Sequence, residues 1–344
     1  MEYSKIDRDL LHRFIEQYKC ASGKWYNLEW SYLNGCIMES YIKLYRADKN
    51  TEHVEFVSDY VDKLFDENDK PVGLNLDEYN IDQIKMTKVL LDLHELSPNE
   101  KYIKTAHDVF NQMQSYPRIN EGNFWHKNIY PNQVWLDGLY MGQPFYTRYL
   151  CDFCNATVFD DTVKQFQICR KRIYNESLGL YMHGYDESRK MFWADKETGQ
   201  SPSVWLRAVG WLVMALVDVI EIIHEDSSGT EVLKGLLSEL IKGLMSYRHT
   251  NGMWYQVPDK GPKEKNYLET SGSSMIAYGF LKAYRLGIEP RERALEGIDT
   301  INGIMNTYIR EDDGEILLGG ICRSAGLGKH PTRGHRRDGT FTYY

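Results

Sequence analysis

Two kinds of helix alternate along this chain, and that alternation limits the folds open to it. One kind opens on aromatic and small residues and is apolar on most sides: WSYLNGCIMESYI, VWLDGLYMGQPFY, VWLRAVGWLVMALVDVI and SGSSMIAYGFLKAY. The other is amphipathic: HVEFVSDYVDKLF, NEKYIKTAHDVFNQM and VLKGLLSELIKGLMSY. A helix without a polar face is buried, and one with a polar face lies outside. Repeated at a spacing of roughly fifty residues, the pair describes an all-α toroid, an inner ring wrapped by an outer ring.

The 3.6-residue period predicts about eleven helices, near 5–19, 31–46, 52–67, 82–95, 98–114, 135–150, 159–174, 203–223, 230–248, 271–286 and 290–308. Few segments alternate with period two; 314–322 is expected to form a short strand. No linker rich in Pro, Gly or Ser divides the chain, so residues 1–344 are expected to form a single domain. Six inner–outer pairs need twelve helices. Either the last inner helix is lacking, since it should begin where the sequence ends in GTFTYY, or one helix is miscounted.

Composition narrows the function. The net charge of −8 argues against nucleic acid as a partner. The 25 Tyr, 8 Trp and 12 Phe suit grooves for ring-shaped ligands, though they also serve as core. Six Cys, at 20, 36, 151, 154, 169 and 322, are too sparse for a disulfide framework. Cys151-x-x-Cys154 has no second pair at zinc spacing, so free core thiols are expected and no metal. The N-terminal MEYSKIDRDLLHRF lacks an apolar signal core, and the longest apolar stretch, Ala208 to Val217, is too short to span a bilayer. The expectation is a cytoplasmic protein without a membrane partner.

In such a toroid the inner helices begin at one mouth, and the long connections there (122–133, 180–203 and 252–271) are where function concentrates. Asp137 sits in the first turn of an inner helix amid Val134, Trp135, Leu136, Leu139 and Tyr140. Its apolar neighbours are expected to raise its pKa. Helix capping is the competing reading, but Asn132 and Gln133 could cap that helix already. Asp82 opens another inner helix and would face the same mouth, unless it is an N-cap. Two carboxylates at one mouth suit sugar chemistry, one protonating while the other stays ionised. His183, in LYMHGYDE, is a pocket candidate or a satisfied structural histidine. Arg207, between Trp205 and Trp211, needs an anion: an internal Asp or a substrate carboxylate. GGICRSAGLGKHP lacks the phosphate-loop pattern, and the basic stretch 329–337 reads as a solvated loop.

The stretches VWLDGLYMGQPFY, FWADKETGQSPSVWLRAVGW, GMWYQVPDKGPKEKNYLETSGSSM and LYMHGYDES resemble the unsaturated rhamnogalacturonyl hydrolases, family 105 of the glycoside hydrolases, related to the unsaturated glucuronyl hydrolases of family 88. The resemblance runs from about Trp30 to Cys322 and implies an (α/α)6 barrel. It places the catalytic carboxylate at Asp137 and a second active-site Asp at Asp82. It implies a substrate-binding set of Trp125, His126, Lys127, Trp135, His183, Trp205, Arg207 and Trp211, with Tyr32 a looser match. The implied substrate is an oligosaccharide ending in a 4,5-unsaturated uronic acid, hydrated at C4=C5 with Asp137 as acid and then base, without a cofactor. The burial of Asp137 and the nearby Asp82 charge would both push its pKa upward. Other readings are an unsaturated glucuronyl hydrolase, a lyase or epimerase, or a non-catalytic carbohydrate-binding toroid, as a monomer or homodimer.

Overall fold

A computed structural model describes residues 8–20, 27–223 and 228–328. Among these residues the chain forms eleven α-helices and three small antiparallel hairpins or bridges. The inner helices are α2 (Tyr32–Asp48), α4 (Ile84–Leu96), α6 (Leu136–Cys154), α8 (Leu206–Ile223) and α10 (Thr270–Arg285). Each is backed by an outer helix: α3 (Thr51–Asp62), α5 (Glu100–Gln114), α7 (Asp160–Ile173), α9 (Ser228–Met245) and α11 (Arg291–Tyr308). The helix α1 (Arg8–Cys20) packs on the hairpin of β5 (Ile309–Asp312) and β6 (Glu315–Leu318). The architecture is the all-α toroid of the (α/α)6 type. Residues 329–344, where the sixth inner helix was expected to begin, and the basic stretch 329–337 lie outside the described residues.

The expected helices are present, with ends shifted by a few residues. The expected strand at 314–322 is the shorter β6. Four strands gave no period-two signal because they are two or three residues long: β1 (Gln133–Trp135) pairs with β4 (Gly184–Asp186), and β2 (Tyr174–Asn175) with β3 (Leu180–Tyr181). Cys151 and Cys154 end α6 as free thiols, but Cys154 is exposed, so only part of the expected core placement holds. Among the described residues, no helix is long and apolar enough to cross a membrane.

Neighbouring inner helices meet at glycines. A Cβ on Gly279 would stand 2.1 Å from Val213, and one on Gly272 would stand 2.6 Å from Leu206, so α10 lies closer to α8 than any side chain would allow. Along the axis the helices are tied by charge. Glu39 of α2 accepts from Lys85 of α4 and, at 3.1 Å, from the Tyr140 hydroxyl of α6. Lys43 of α2 donates to Asp218 of α8 at 3.1 Å and to the Tyr278 hydroxyl of α10 at 3.0 Å. Lys282 of α10 closes the set on Asp218 at 2.6 Å. Burial pushes the Glu39 carboxyl up, but Lys43, Lys85 and Lys88 outweigh it and hold the group well below the usual carboxylate range.

A buried ion whose partner is removed costs roughly 3–5 kcal/mol. Glu39→Leu should therefore lower unfolding free energy by about that amount in chemical denaturation. The double change Glu39→Leu with Lys85→Leu should recover much of the loss. A single variant within about 1 kcal/mol of the parent would show that the axial charges do not hold the ring.

Candidate active site

Two of the cavities among the described residues lie between the inner helices. The larger, about 770 Å³, lies at their C-terminal ends. Its charges are spent on one another: Lys88 on Asp92 at 2.7 Å, Arg46 on Glu95 at 2.9 Å, Lys282 on Glu221 at 2.6 Å. The smaller, about 340 Å³, opens at the mouth where the inner helices begin. That volume lies near the lower end of ordinary ligand pockets, roughly 300–1,000 Å³. Asp82 and Asp137 both line it, as the sequence predicted, together with Tyr32, His126, Lys127 and Trp135.

Asp137 is delivered by an abrupt change of backbone. β1 runs extended through Trp135, and α6 starts at Leu136 without a side-chain cap. Asn132 and Gln133, expected as caps, do other work: Asn132 turns the chain at φ 63° and Gln133 starts β1. Asp137 itself does not cap. Its Oδ2 lies 3.1 Å from Nε2 of His183, a fully buried ring. The pairing of Trp135 with Gly184 in β1 and β4 sets that contact, and Leu136 N donates to His183 O at 3.1 Å. A Cβ on Gly184 would meet Leu327 at 2.7 Å and Trp135 at 3.0 Å, so the approach requires glycine.

The expected rise in the Asp137 pKa is not what this geometry gives. Burial does push the carboxyl up, but the charge and hydrogen bond of His183, with His126 behind them, outweigh it and bring the group below its ordinary value. The apolar run in the sequence was visible; the histidine that answers it, 46 positions away, was not.

Asp82 lies in a 3-10 turn, Ile81–Gln83, just ahead of α4. The side chain of Asn80 caps that turn, so Asp82 is not the N-cap. The Lys127 ammonium stands 2.6 Å from its Oδ2, and His126 Nε2 is 3.9 Å from its Oδ1. Burial brings His126 down to about 4, with the Lys127 charge adding to the fall and the Asp82 charge opposing it. The ring is therefore neutral near pH 7. It lies parallel to the Trp135 indole, centroids 4.4 Å apart, and Tyr130 lies parallel to the same indole at 5.0 Å. Burial, with the Asp82 charge adding, pushes the Tyr32 hydroxyl up to about 12, so it faces the cavity as a neutral phenol.

The other predicted residues stand behind the wall. Trp205 packs on His183 at 4.9 Å, and Trp211 stacks on Tyr140 at 5.0 Å, under the floor. Trp125 is half-buried beside the cavity rather than in its lining. Among the described residues Arg207 meets no Asp, the internal partner expected for it. It stacks over Trp205 and donates to the carbonyl of Cys322 and, at 3.2 Å, to Ser271 Oγ. Glu269 joins it: one oxygen accepts from Cys322 N at 3.0 Å, the other from Gly272 N at 2.6 Å. Together they hold the segment 319–328 against the start of α10. That segment supplies Ala325, Gly326 and Gly328 to the cavity, and the sequence reading had no place for them. Tyr130 and Met141 line it as well and were also missed. Tyr130 lay in a connection already marked as functional; the segment 319–328 is placed only by distant contacts.

Two carboxylates, one hydrogen-bonded by a buried histidine and one ion-paired with a lysine, thus line the aromatic mouth of the (α/α)6 toroid. The family profile described as Glycosyl Hydrolase Family 88 matches residues 6–344. The chain belongs to that family. Family 88 membership extends to its neighbour, family 105: a glycoside hydrolase of family 105 from C. acetobutylicum is 38% identical, with a TM-score of 0.89 over 96% of this chain and 91% of that one. The unsaturated rhamnogalacturonyl hydrolase YesR of Bacillus subtilis is 22% identical over 275 residues, 78% of this chain and 75% of that protein. The unsaturated glucuronyl hydrolase of Bacillus sp. GL1, 15% identical, shares the fold with a TM-score of 0.67 over 91% of this chain and 88% of that one. The family 88 chain is thus a glycosidase.

The buried neutral His126 has a cost in acid. Its folded pKa, about 4, lies below the unfolded value of 6.5, so the unfolded chain takes the proton first. Stability is lost as pH falls from about 6.5 toward about 4, by about 2 kcal/mol at pH 5 from this group alone. Denaturant unfolding of the parent and of His126→Gln at pH 7 and pH 5 checks this. The variant should lose less on acidification; equal losses would mean that His126 is not held neutral.

Proposed function

We propose that this glycosidase releases a 4,5-unsaturated galacturonic acid from the non-reducing end of rhamnogalacturonan-derived oligosaccharides. The observation that carries the reading is the inequality of the two carboxylates. Asp82 is ion-paired with the Lys127 ammonium, whereas the partner of Asp137 among the described residues is the imidazole of His183. The family membership and the likeness to YesR support the substrate class.

The C4=C5 bond of such a sugar is an enol ether. Asp137 in its acid form gives a proton to C4, and the positive charge that develops is shared between C5 and the ring oxygen. Water adds at C5 while the Asp137 carboxylate takes its proton. The resulting hemiketal opens the ring, and the hemiacetal left at C1 releases the neighbouring sugar. One group serves as acid and then base, which requires a pKa near working pH.

The protein groups by themselves do not meet that requirement, since His183 holds Asp137 low. The substrate supplies the missing push. A uronate carboxylate about 6 Å away, at an effective dielectric of about 20, costs the Asp137 anion about 3 kcal/mol, or about two pH units. Protonation of the acid is thereby coupled to arrival of the substrate. Lys127, the cation in the cavity wall, is assigned to the uronate, with Trp135 and Tyr130 offering faces for the sugar rings. Arg207 is assigned to holding the 319–328 wall.

Incubation with lyase-generated unsaturated disaccharides from rhamnogalacturonan and from glycosaminoglycans, followed by the ultraviolet absorbance of the double bond, tests both chemistry and substrate. Turnover should be fastest on the rhamnogalacturonan product. Faster loss of absorbance on the glycosaminoglycan product would make the chain an unsaturated glucuronyl hydrolase instead. Asp137→Asn, which cannot donate the proton, should fold normally and lose about 10²–10⁴-fold in rate. A loss below tenfold would remove Asp137 from the acid role.

A further inference from the structure

Behind His126, away from the main cavity, lies a void of about 10 Å³. Three of the polar side chains around it, Asn123, His126 and Gln143, are 1%, 4% and 1% exposed. Each leaves one buried atom without a hydrogen-bond partner among the described residues: Asn123 Oδ1, His126 Nδ1 and Gln143 Oε1. The Asn123 amide nitrogen is already spent on Gln165 O at 2.8 Å, which leaves its oxygen as the available group. Gln165, the fourth polar residue there, uses both ends elsewhere, donating to Gly122 O and accepting from Phe124 N. Buried polar atoms are rarely left unsatisfied. A void of roughly 10–15 Å³ on this scale holds one water, provided that two to four polar partners surround it.

We propose that one water is a fixed part of this site, donating to Asn123 Oδ1 and Gln143 Oε1 and accepting from His126 Nδ1–H. The geometry of donation then decides the tautomer. Two carbonyl oxygens consume both hydrogens of the water, so its only remaining bond to His126 is as an acceptor. The proton of the neutral ring sits on Nδ1, and Nε2 presents a bare lone pair to the catalytic cavity. The 3.9 Å between Nε2 and Asp82 is too long for a hydrogen bond and leaves that lone pair available. Gly138, next to Asp137, keeps the path open: a Cβ there would stand 3.2 Å from His126 Nδ1.

This deepens the proposed hydrolase reading and rests on it for one point, that the cavity takes an unsaturated sugar. His126 is then an acceptor for a substrate hydroxyl or for the attacking water, and Gln143 and Asn123 are positioning residues that act through the buried water. If the ring carried its proton on Nε2 instead, it would be a donor toward Asp82 and could not accept from the substrate.

The test uses the full chain with ¹⁵N-labelled histidine side chains, the His126 signals being assigned by their loss in His126→Gln. Near pH 7 the ring should show a protonated Nδ1 and a bare Nε2. A high-resolution crystal structure should show one water at roughly 2.7–3.2 Å from the three orphaned atoms. Gln143→Met removes one acceptor and should mix the two tautomers, with kcat/KM on the unsaturated disaccharide falling about 2–13-fold, the equivalent of one hydrogen bond. Gln143→Glu, protonated in so buried a setting, keeps an oxygen there and should restore the parental tautomer. A parental ring protonated on Nε2, a dry void, or an unaltered tautomer in Gln143→Met would overturn the proposal. Should Gln143→Met fail to fold, the parental tautomer and the electron density still decide. Absence of turnover in the parent would defeat the hydrolase reading while leaving the water and the tautomer to be read independently.

Discussion

The axial ion network is the constraint on which the rest of the structure depends. Charged groups are expensive inside a protein, and this barrel places Glu39, Lys85, Lys88, Asp92, Asp218 and Lys282 at its buried centre. The expense is tolerable only while every ion meets its counterpart, and those counterparts come from α2, α4, α8 and α10, with the Tyr140 hydroxyl of α6 as a further donor. A shift of any inner helix along its axis would strand a charge. The network therefore fixes the relative heights of the helices whose starts carry Tyr32 and Asp137, and of α4, which follows the turn that carries Asp82. The glycine contacts between α8 and α10 act in the same direction, since they allow one close approach and no other.

Much of this fold was legible because helical periodicity is a local signal. The inner and outer helices fell where the apolar stripes predicted, and Asp82 and Asp137 reached one mouth because they open inner helices. What the sequence hid was pairwise and distant. β1 and β4 are three residues each, too short to show alternation, yet their pairing brings His183 to Asp137. Ala325, Gly326 and Gly328 line the cavity on a segment that Arg207 and Glu269 hold at Cys322 and Thr270 holds at Gly319 and Gly320, contacts that no local pattern announces. Arg207 read as a cation seeking an anion. In the structure its charge serves backbone carbonyl and hydroxyl oxygens, which guanidinium donors satisfy as well as carboxylates do.

The electrostatics separate the two carboxylates more clearly than sequence position did. Asp82 and Asp137 have nearly equal side-chain exposure, 15% and 16%, so solvent does not distinguish them. Their partners do. The Lys127 ammonium stands against Asp82, whereas at Asp137 the charge and hydrogen bond of His183 outweigh burial and bring the carboxyl below its ordinary value.

That account makes carbon, not oxygen, the atom that first receives the proton. Running the reaction in heavy water and examining the released sugar by nuclear magnetic resonance tests it most directly. Deuterium should appear at C4, and the saturated galacturonide, which has no enol ether, should not react. A product without deuterium at C4, or equal rates on saturated and unsaturated substrates, would mean direct displacement at the anomeric carbon with Asp82 as nucleophile or base.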